Sequence, residues 1–224
     1  MTSPTPPPPS SAPSPAGQDP HDHAVRAASF DRDADVYAQV RPTYPRDAVA
    51  WLLPRGARRV LDLAAGTGKL TEVVVGAVAA GTEVVAVDPS VPMLGELSAR
   101  LPDVSTREGT AERIPLPDGS VDAVLVGQAW HWFDAAAAAT EIARVLRPGG
   151  LVGVVWNVRD TSADWVARFG DILHRGDALE PVEAEPRGPE LGAAFDAVEG
   201  ATFRWSDRLP PARCAPSPAR AATS

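Results

Sequence analysis

Two aspartates and a glycine-containing turn are the residues of this sequence best suited to bind a small ligand. Asp62 lies in an otherwise apolar run, residues 60–63, which leads into the turn Ala64-Ala65-Gly66-Thr67-Gly68. Glycines permit backbone angles that are closed to other residues, and they let a ligand approach the main chain. A buried carboxylate needs a hydrogen-bond donor or a cation, so an ammonium group is a natural partner for Asp62. The pattern predicts ligand binding at this turn.

A second acidic residue, Asp88, ends the next apolar run, residues 83–87. A carboxylate at the end of a second strand can accept hydrogen bonds from both hydroxyls of a ribose, as acids do in dinucleotide sites. The same residue could instead cap a helix, because Asp-Pro-Ser is favourable turn chemistry. Two further segments, residues 109–112 and 128–133, follow later strands and are placed to join the same site.

Short apolar runs alternate with helical patterns along the chain, and this alternation places the candidate residues at strand ends. Strands are predicted at residues 60–63, 83–87, 104–107, 120–127 and 151–157, and helices at residues 46–53, 69–80, 91–100, 135–146 and 162–175, with Asp134 as the N-cap of the helix at 135–146. Strands without polar alternation, separated by helices, are typical of a parallel sheet covered on both faces. The predicted fold class is doubly wound α/β, in which ligands bind beyond the carboxyl ends of the strands.

Two predicted helices precede the first strand, at residues 29–40 and 46–53, with Arg41-Pro42-Thr43-Tyr44-Pro45 between them. The first helix places four apolar or aromatic residues on one side: Phe30, Val36, Tyr37 and Val40. Because both helices come before the alternating pattern, we expect them to lie over an edge of the sheet or to form a lid over the site.

The composition is that of a soluble globular protein and argues against several classes of partner. The chain has 224 residues, 44% of them apolar and 22% charged, with a net charge of −8. This charge argues against a nucleic acid or an anionic membrane as the main partner, and no apolar run is long enough to span a bilayer. Cys214 is the only cysteine, which excludes an intramolecular disulfide and fits a cytoplasmic setting. No metal site is expected, because His21 and His23 have no further ligands at a usable spacing.

Both ends of the chain are predicted to be disordered. Residues 1–28 are rich in proline and serine, and residues 207–224 have no apolar period. Neither stretch has enough apolar surface to offset the entropy of ordering. A single ordered domain is therefore predicted at residues 29–206.

Four motifs in this domain resemble those of the class I S-adenosylmethionine-dependent methyltransferases. They are V-L-D-L-A-A-G-T-G-K-L-T, V-V-A-V-D-P-S, E-G-T-A-E-R-I-P-L-P-D-G-S-V-D-A-V and L-R-P-G-G. Two more segments, F-D-R-D-A-D-V-Y-A-Q-V-R-P-T-Y-P and Q-A-W-H-W-F-D, resemble the small-molecule group that includes trans-aconitate methyltransferase relatives. Four motifs in order are far more specific than one glycine loop. The resemblance implies a Rossmann-like fold, S-adenosylmethionine as the cofactor, and in-line transfer of a methyl group to a small-molecule acceptor.

The resemblance also implies roles for individual residues. Those expected to bind the cofactor are Asp62, Ala64, Gly66, Thr67 and Gly68 at its methionine end, Asp88 at the ribose, Pro89, Ser90, Thr110 and Ala111 at the adenine, and Gln128 near the reacting sulfur. The expected substrate contacts are Tyr37, Arg41, Tyr44, His131 and Trp132. Tyr37 and His131 are the catalytic candidates, acting by positioning rather than by acid–base chemistry.

Three features depart from the family pattern. Ala64 replaces the first glycine of the usual G-x-G-x-G, a mild change if its backbone angles are ordinary. Thr110 replaces the usual acid at the adenine edge, although a hydroxyl can still accept a hydrogen bond. Residues 202–205, T-F-R-W, resemble a sixth strand, but the helix and last antiparallel strand that follow it in the family are not recognisable. We therefore expect a truncated or frame-shifted C-terminus and an exposed sheet edge.

Several alternatives stay open from the sequence. The chain could be a non-catalytic or degenerate binding module, or a nicotinamide-dependent oxidoreductase, although the loop lacks a full G-x-G-x-x-G. His131 could be an exposed or satisfied histidine rather than a general base. The aromatic residues Trp130, Trp132 and Phe133 could belong to the core. The oligomeric state and the methyl acceptor are not predicted.

Overall fold

The computed structural model describes residues 42–166, 168, 189, 191–195 and 198–206. Its regular elements are α1 (Arg46–Trp51), β1 (Arg59–Leu63), α2 (Lys69–Ala77), β2 (Glu83–Asp88), α3 (Val91–Arg100), β3 (Ser105–Glu108), β4 (Val121–Gly127), α4 (Ala135–Val145) and β5 (Leu146–Val155), with short 3-10 turns at Trp130–Trp132 and Gly192–Ala194. The predicted helix at residues 29–40, most of the one at residues 162–175, and both predicted tails lie outside the described residues.

The five strands form one parallel sheet in the order β3-β2-β1-β4-β5. The central strand β1 pairs with β2 through Val60 and Val84, and with β4 through Val60 and Ala123. The chain passes from β1 outward to β3 and then returns to β4 on the other side, so the direction of winding changes between β1 and β4. The predicted doubly wound α/β fold is confirmed, and its switch point lies between the carboxyl ends of β1 and β4.

Helices cover both faces of the sheet, which explains the continuous apolar character of the strands. Leu70, Val74 and Leu97 of α2 and α3 pack with α1 on one face. On the other face, Ile142 and Val145 of α4 pack with the loop between β3 and β4. In the described part of the chain, no helix has the length and apolar character needed to cross a membrane.

The bounds of several elements differ from those that the pattern predicts. The helix at residues 91–100 is confirmed, and Asp134 caps α4 as expected by accepting hydrogen bonds from the amides of Ala136 and Ala137 at 3.1 Å. The helices α1 and α2 end at Trp51 and Ala77 rather than at residues 53 and 80. The strand β5 begins at Leu146 instead of residue 151, because Leu146 pairs with Val121 before an irregularity in register. Such a bulge accommodates the following proline and glycines.

The strand expected at residues 202–205 is wrong. Residues 201–206 have no regular secondary structure, and β5 is the last strand of the described sheet on that side. The ring of Phe203 instead packs against that of Trp51, with the ring centroids 6.2 Å apart. The exposed Arg204, the next residue, pairs with Asp160 at 3.1 Å, so this segment is held by side-chain contacts rather than by strand pairing.

Candidate functional site

The turn between β1 and α2 has a strained backbone. Ala64, Gly66 and Gly68 have left-handed conformations, with φ of +58°, +54° and +85°. A Cβ on Gly68 would lie 2.7 Å from Leu97 Cγ, so the close packing of α3 requires glycine there. The condition under which Ala64 would be a mild replacement, ordinary backbone angles, is not met, because the tight turn forces a conformation that costs a residue with a side chain about 1–2 kcal/mol. Such strain is concentrated at binding sites.

Asp62 is buried next to this turn, with 1% of its surface exposed. Its Oδ2 accepts a hydrogen bond from Thr71 Oγ1 at 2.6 Å, whereas its Oδ1 has no hydrogen-bond partner. Burial raises the pKa of Asp62 to about 7; the Thr71 hydrogen bond opposes this increase, and the negative charge of Asp88 adds to it. A buried carboxylate oxygen without a donor is destabilising, so this atom is suited to accept a hydrogen bond from a ligand.

Asp88 joins the two loops that follow β1 and β2. It is buried, and its carboxylate accepts hydrogen bonds from the amide of Gly66 at 2.7 Å and from the amide of Ser90 at 2.8 Å. The N-cap of α3 is Ser90, whose Oγ accepts a hydrogen bond from the amide of Met93 at 3.3 Å, so the alternative of Asp88 as the cap is wrong. The exposed Pro89 lies between Asp88 and Ser90.

The loop after β3 is attached to the end of β2. The amide of Gly109 donates to the carbonyl oxygen of Asp88 at 3.2 Å, and a Cβ on Gly109 would lie 2.5 Å from Pro115 Cδ. Thr110 is exposed beyond this contact, whereas the side chain of Ala111 is buried in the core. Only the main chain of Ala111 therefore remains suited to contact a ligand.

Arg144 of α4 fixes the remainder of this loop. Its guanidinium donates to the carbonyl oxygens of Ile114 and Leu116, each at 2.8 Å, and pairs with Glu141 and Asp118. Glu141 in turn accepts a hydrogen bond from the amide of Ile114 at 2.9 Å. The loop beside the candidate site is thus connected to α4 by several hydrogen bonds and ion pairs.

Gln128 follows β4 on the other side of the switch point, and it is the second described residue with a side chain and a positive φ, +57°. Its backbone N–H donates to the Val155 carbonyl oxygen at 3.0 Å, and its side-chain Nε2 donates to the Asn157 backbone carbonyl oxygen at 3.1 Å. Tyr44 is buried against Gly127, the residue before Gln128. A Cβ placed on Gly127 would lie 2.6 Å from Tyr44 Oη. The structure therefore brings Tyr44 and Gln128 to the same strand end.

The aromatic segment after Gln128 divides between core and surface. Trp130 is buried, and its ring lies edge-on to that of Phe133 with the ring centroids 5.6 Å apart. This confirms the interpretation of these rings as core residues. Trp132 is partly buried against the same core, and the exposed His131 ring lies 4.7 Å from it. The other expected substrate contacts, Tyr37 and Arg41, lie outside the described residues.

Known proteins resemble this chain across most of the described domain. The family described as a methyltransferase domain matches residues 61–154. An uncharacterised methyltransferase from Mycobacterium bovis is 50% identical over 183 residues, which cover 82% of this chain and 72% of the relative. The chain belongs to the class I S-adenosylmethionine-dependent methyltransferases. The wider family includes a demethylmenaquinone methyltransferase from Beutenbergia cavernae, 34% identical over 199 residues, or 86% of this chain and 80% of the relative.

A solved structure supports the same assignment for this methyltransferase. It comes from Anaeromyxobacter dehalogenans, is provisionally assigned as a type II methyltransferase, and is 31% identical with a TM-score of 0.54. The alignment covers 65% of the present chain and 63% of the solved one. Sequence and fold therefore agree on the family.

Sequence analysis missed three residues that shape the site of this methyltransferase. Thr71 lies nine residues after Asp62 on the buried face of α2, and a small polar residue on that face could have been noticed. Asn157 lies two residues beyond the end of β5, and a polar residue close to a strand end is also recognisable. Gly127 gave no indication of its role, because its contact with Tyr44 joins distant parts of the chain.

Proposed function

We propose that this chain transfers the methyl group of S-adenosylmethionine to a small-molecule acceptor and binds the cofactor across the ends of β1, β2 and β4. The observation that carries the proposal is the unpartnered Oδ1 of Asp62, which is buried beside a turn with glycines at two left-handed positions. An ammonium group would donate to this oxygen and stabilise the charged carboxylate. The amino acid part of S-adenosylmethionine has such a group, so the residues fit the cofactor.

The remaining cofactor contacts follow from the positions of the strand ends. Asp88, held by two backbone amides, is placed to accept hydrogen bonds from the ribose hydroxyls. Ser90 and Pro89, beside it, and the exposed Thr110 would border the adenine. Gln128 would approach the methionine part from the opposite side of the switch point.

The chemistry supplied by the cofactor is a methyl group on a positively charged sulfur, which keeps the electron pair of the broken carbon–sulfur bond. The protein therefore has to align the acceptor and exclude water, and it does not need a strong general base. The aromatic faces of Tyr37 or Trp132 would stabilise the positive charge of the sulfonium. His131, Tyr44 and Arg41 would position the acceptor.

Two acceptor classes have support. The segments at residues 30–45 and 128–134 resemble the group of trans-aconitate methyltransferase relatives, and Arg41 would suit an anionic carboxylate. The Beutenbergia cavernae relative is named for demethylmenaquinone, which makes a quinone-type acceptor the second candidate. A carboxylate acceptor is preferred, because an already charged oxygen attacks without losing a proton.

Calorimetric titration with S-adenosylmethionine tests the proposal. We expect micromolar binding to the wild type and a loss of at least about 30-fold in Asp62→Asn, since a buried charge pair contributes about 2–5 kcal/mol. Asp103→Asn, the same substitution at an exposed residue before β3, is the matched control and should bind like the wild type. A folded wild-type protein without affinity for the cofactor would refute the proposal, and binding of a nicotinamide cofactor instead would support the oxidoreductase. Binding without transfer to any acceptor would indicate a non-catalytic module.

A further inference from the structure

Asn157 connects two distant parts of the chain at the candidate site. Its Nδ2 donates to the carbonyl oxygen of Thr43 at 3.0 Å, across 114 positions of sequence. The backbone carbonyl oxygen of Asn157 accepts a hydrogen bond from Gln128 Nε2 at 3.1 Å. We propose that Asn157 is a positioning residue, which holds residues 42–45 over the end of β4 and fixes Gln128 for cofactor binding. The inference rests on the proposed function, because it assigns Asn157 to the same site.

The segment that Asn157 holds is seated between β4 and the glycine turn. Tyr44 is 7% exposed, and its Oη and Leu70 Cδ2 would lie 2.6 Å and 3.1 Å from a Cβ on Gly127. Leu70 lies in the first turn of α2, a helix that begins directly after Gly68. Movement of residues 42–45 would therefore alter the packing at the end of β4 and at the start of α2 together.

Gln128 depends on the same connection for its geometry. Its left-handed backbone is unfavourable for a residue with a side chain, and such conformations persist only where the surroundings impose them. Two hydrogen bonds do so here, one from the backbone to Val155 at the end of β5 and one from the side chain to Asn157 just beyond it. The second of these bonds requires that the Asn157 backbone stay in place, and the Thr43 contact of its side chain fixes it.

Replacement of Asn157 by alanine removes the donor to Thr43 and leaves the carbonyl that Gln128 uses. One hydrogen bond of this kind contributes about 0.5–1.5 kcal/mol, so we expect the affinity for S-adenosylmethionine to fall about two- to tenfold in Asn157→Ala. Hydrogen exchange of the ligand-free protein should also accelerate in peptides that contain Tyr44 and Gln128.

A matched control exists at the other end of the sheet. Thr82 Oγ1 donates to the carbonyl oxygen of Ala57 at 2.9 Å, so Thr82→Val also removes one side-chain hydrogen bond to a backbone carbonyl. This variant should lose a similar amount of stability but keep the wild-type affinity and the wild-type exchange at Tyr44 and Gln128.

The outcomes separate this inference from the proposed function. Reduced affinity together with faster exchange in Asn157→Ala alone would support the positioning role. Unchanged affinity in Asn157→Ala, or an equal loss in Thr82→Val, would overturn it. If the wild type does not bind S-adenosylmethionine, the proposed function and the role of Asn157 in cofactor binding both fail, and the exchange data alone then decide whether the Thr43 contact orders residues 42–45.

Discussion

Two aspartates at opposite ends of the same sheet have opposite environments. At the amino end, Asp122 accepts hydrogen bonds from the amides of Arg58 and Arg59 at 2.7 Å and 2.8 Å, and from the Arg147 guanidinium at 2.6 Å. Burial alone would raise the pKa of Asp122, but the Arg147 hydrogen bond and the two amides outweigh it and lower the pKa. At the carboxyl end, Asp62 has one donor, Thr71, and burial raises its pKa to about 7.

The difference indicates that the amino end of the sheet is organised for stability and, under the proposed function, the carboxyl end for binding. Asp122 receives its donors from the chain itself, so its charge stabilises the fold. Asp62 keeps one buried oxygen without a donor, a cost that the rest of the fold has to offset. A site that binds a cationic group needs such an incomplete carboxylate before the ligand arrives.

The largest expected effect is at the amino end. Asp122→Ala should lower the free energy of unfolding by about 3 kcal/mol, because it leaves two backbone amides and the Arg147 guanidinium without their acceptor. Urea denaturation measures the change. Asp118→Ala, which removes an exposed partner of Arg144, should cost at most about 1 kcal/mol. Equal losses in the two variants would contradict the distinction between them.

A smaller effect of opposite sign is expected at the carboxyl end. Asp62→Asn should raise the free energy of unfolding at pH 8 by about 2 kcal/mol while it removes cofactor binding. The native pKa of about 7 lies above the ordinary 3.8, so the native state holds more protons than the unfolded state between these values. Wild-type stability should therefore fall as the pH rises from about 4 to about 7.

Denaturation at pH 5 and at pH 8 checks this prediction for Asp62. The loss of stability from pH 5 to pH 8 should be smaller in Asp62→Asn than in the wild type. In Asp103→Asn it should equal the loss of the wild type. A wild type with the same stability at both values would show that Asp62 is not the protonated group that its burial indicates.

The smallest effect concerns the strained turn. Ala64→Gly should stabilise the protein by about 0.5–1 kcal/mol, because relief of the left-handed strain exceeds the added entropy of the unfolded chain. Ala65, the next residue, has no positive φ, so Ala65→Gly should destabilise by about 0.5–1 kcal/mol. Thermal unfolding compares the pair, and the same sign in both variants would argue against strain at Ala64.

Local pattern was sufficient to predict the strands and the segments that follow them. The glycines at 66 and 68, the acid at the end of β2 and the cap of α4 all depend on neighbours within a few residues. Two of the predictions that were wrong depended on distant contacts. β5 begins at Leu146 because that residue pairs with Val121 of β4. Residues 202–205 form no strand, because none of the strands of the described sheet pairs with them.

The sequence by itself determined the doubly wound fold and the edge of the sheet at which the candidate site lies. It did so because apolar period, turn glycines and helix caps are local properties that fix the order of strands and helices. Only the tertiary structure decided that Asp122 is saturated with donors and Asp62 is not, that Ala64 is strained, and that Asn157 reaches Thr43. Burial and hydrogen bonding between residues far apart in sequence set these properties, and no local pattern contains them.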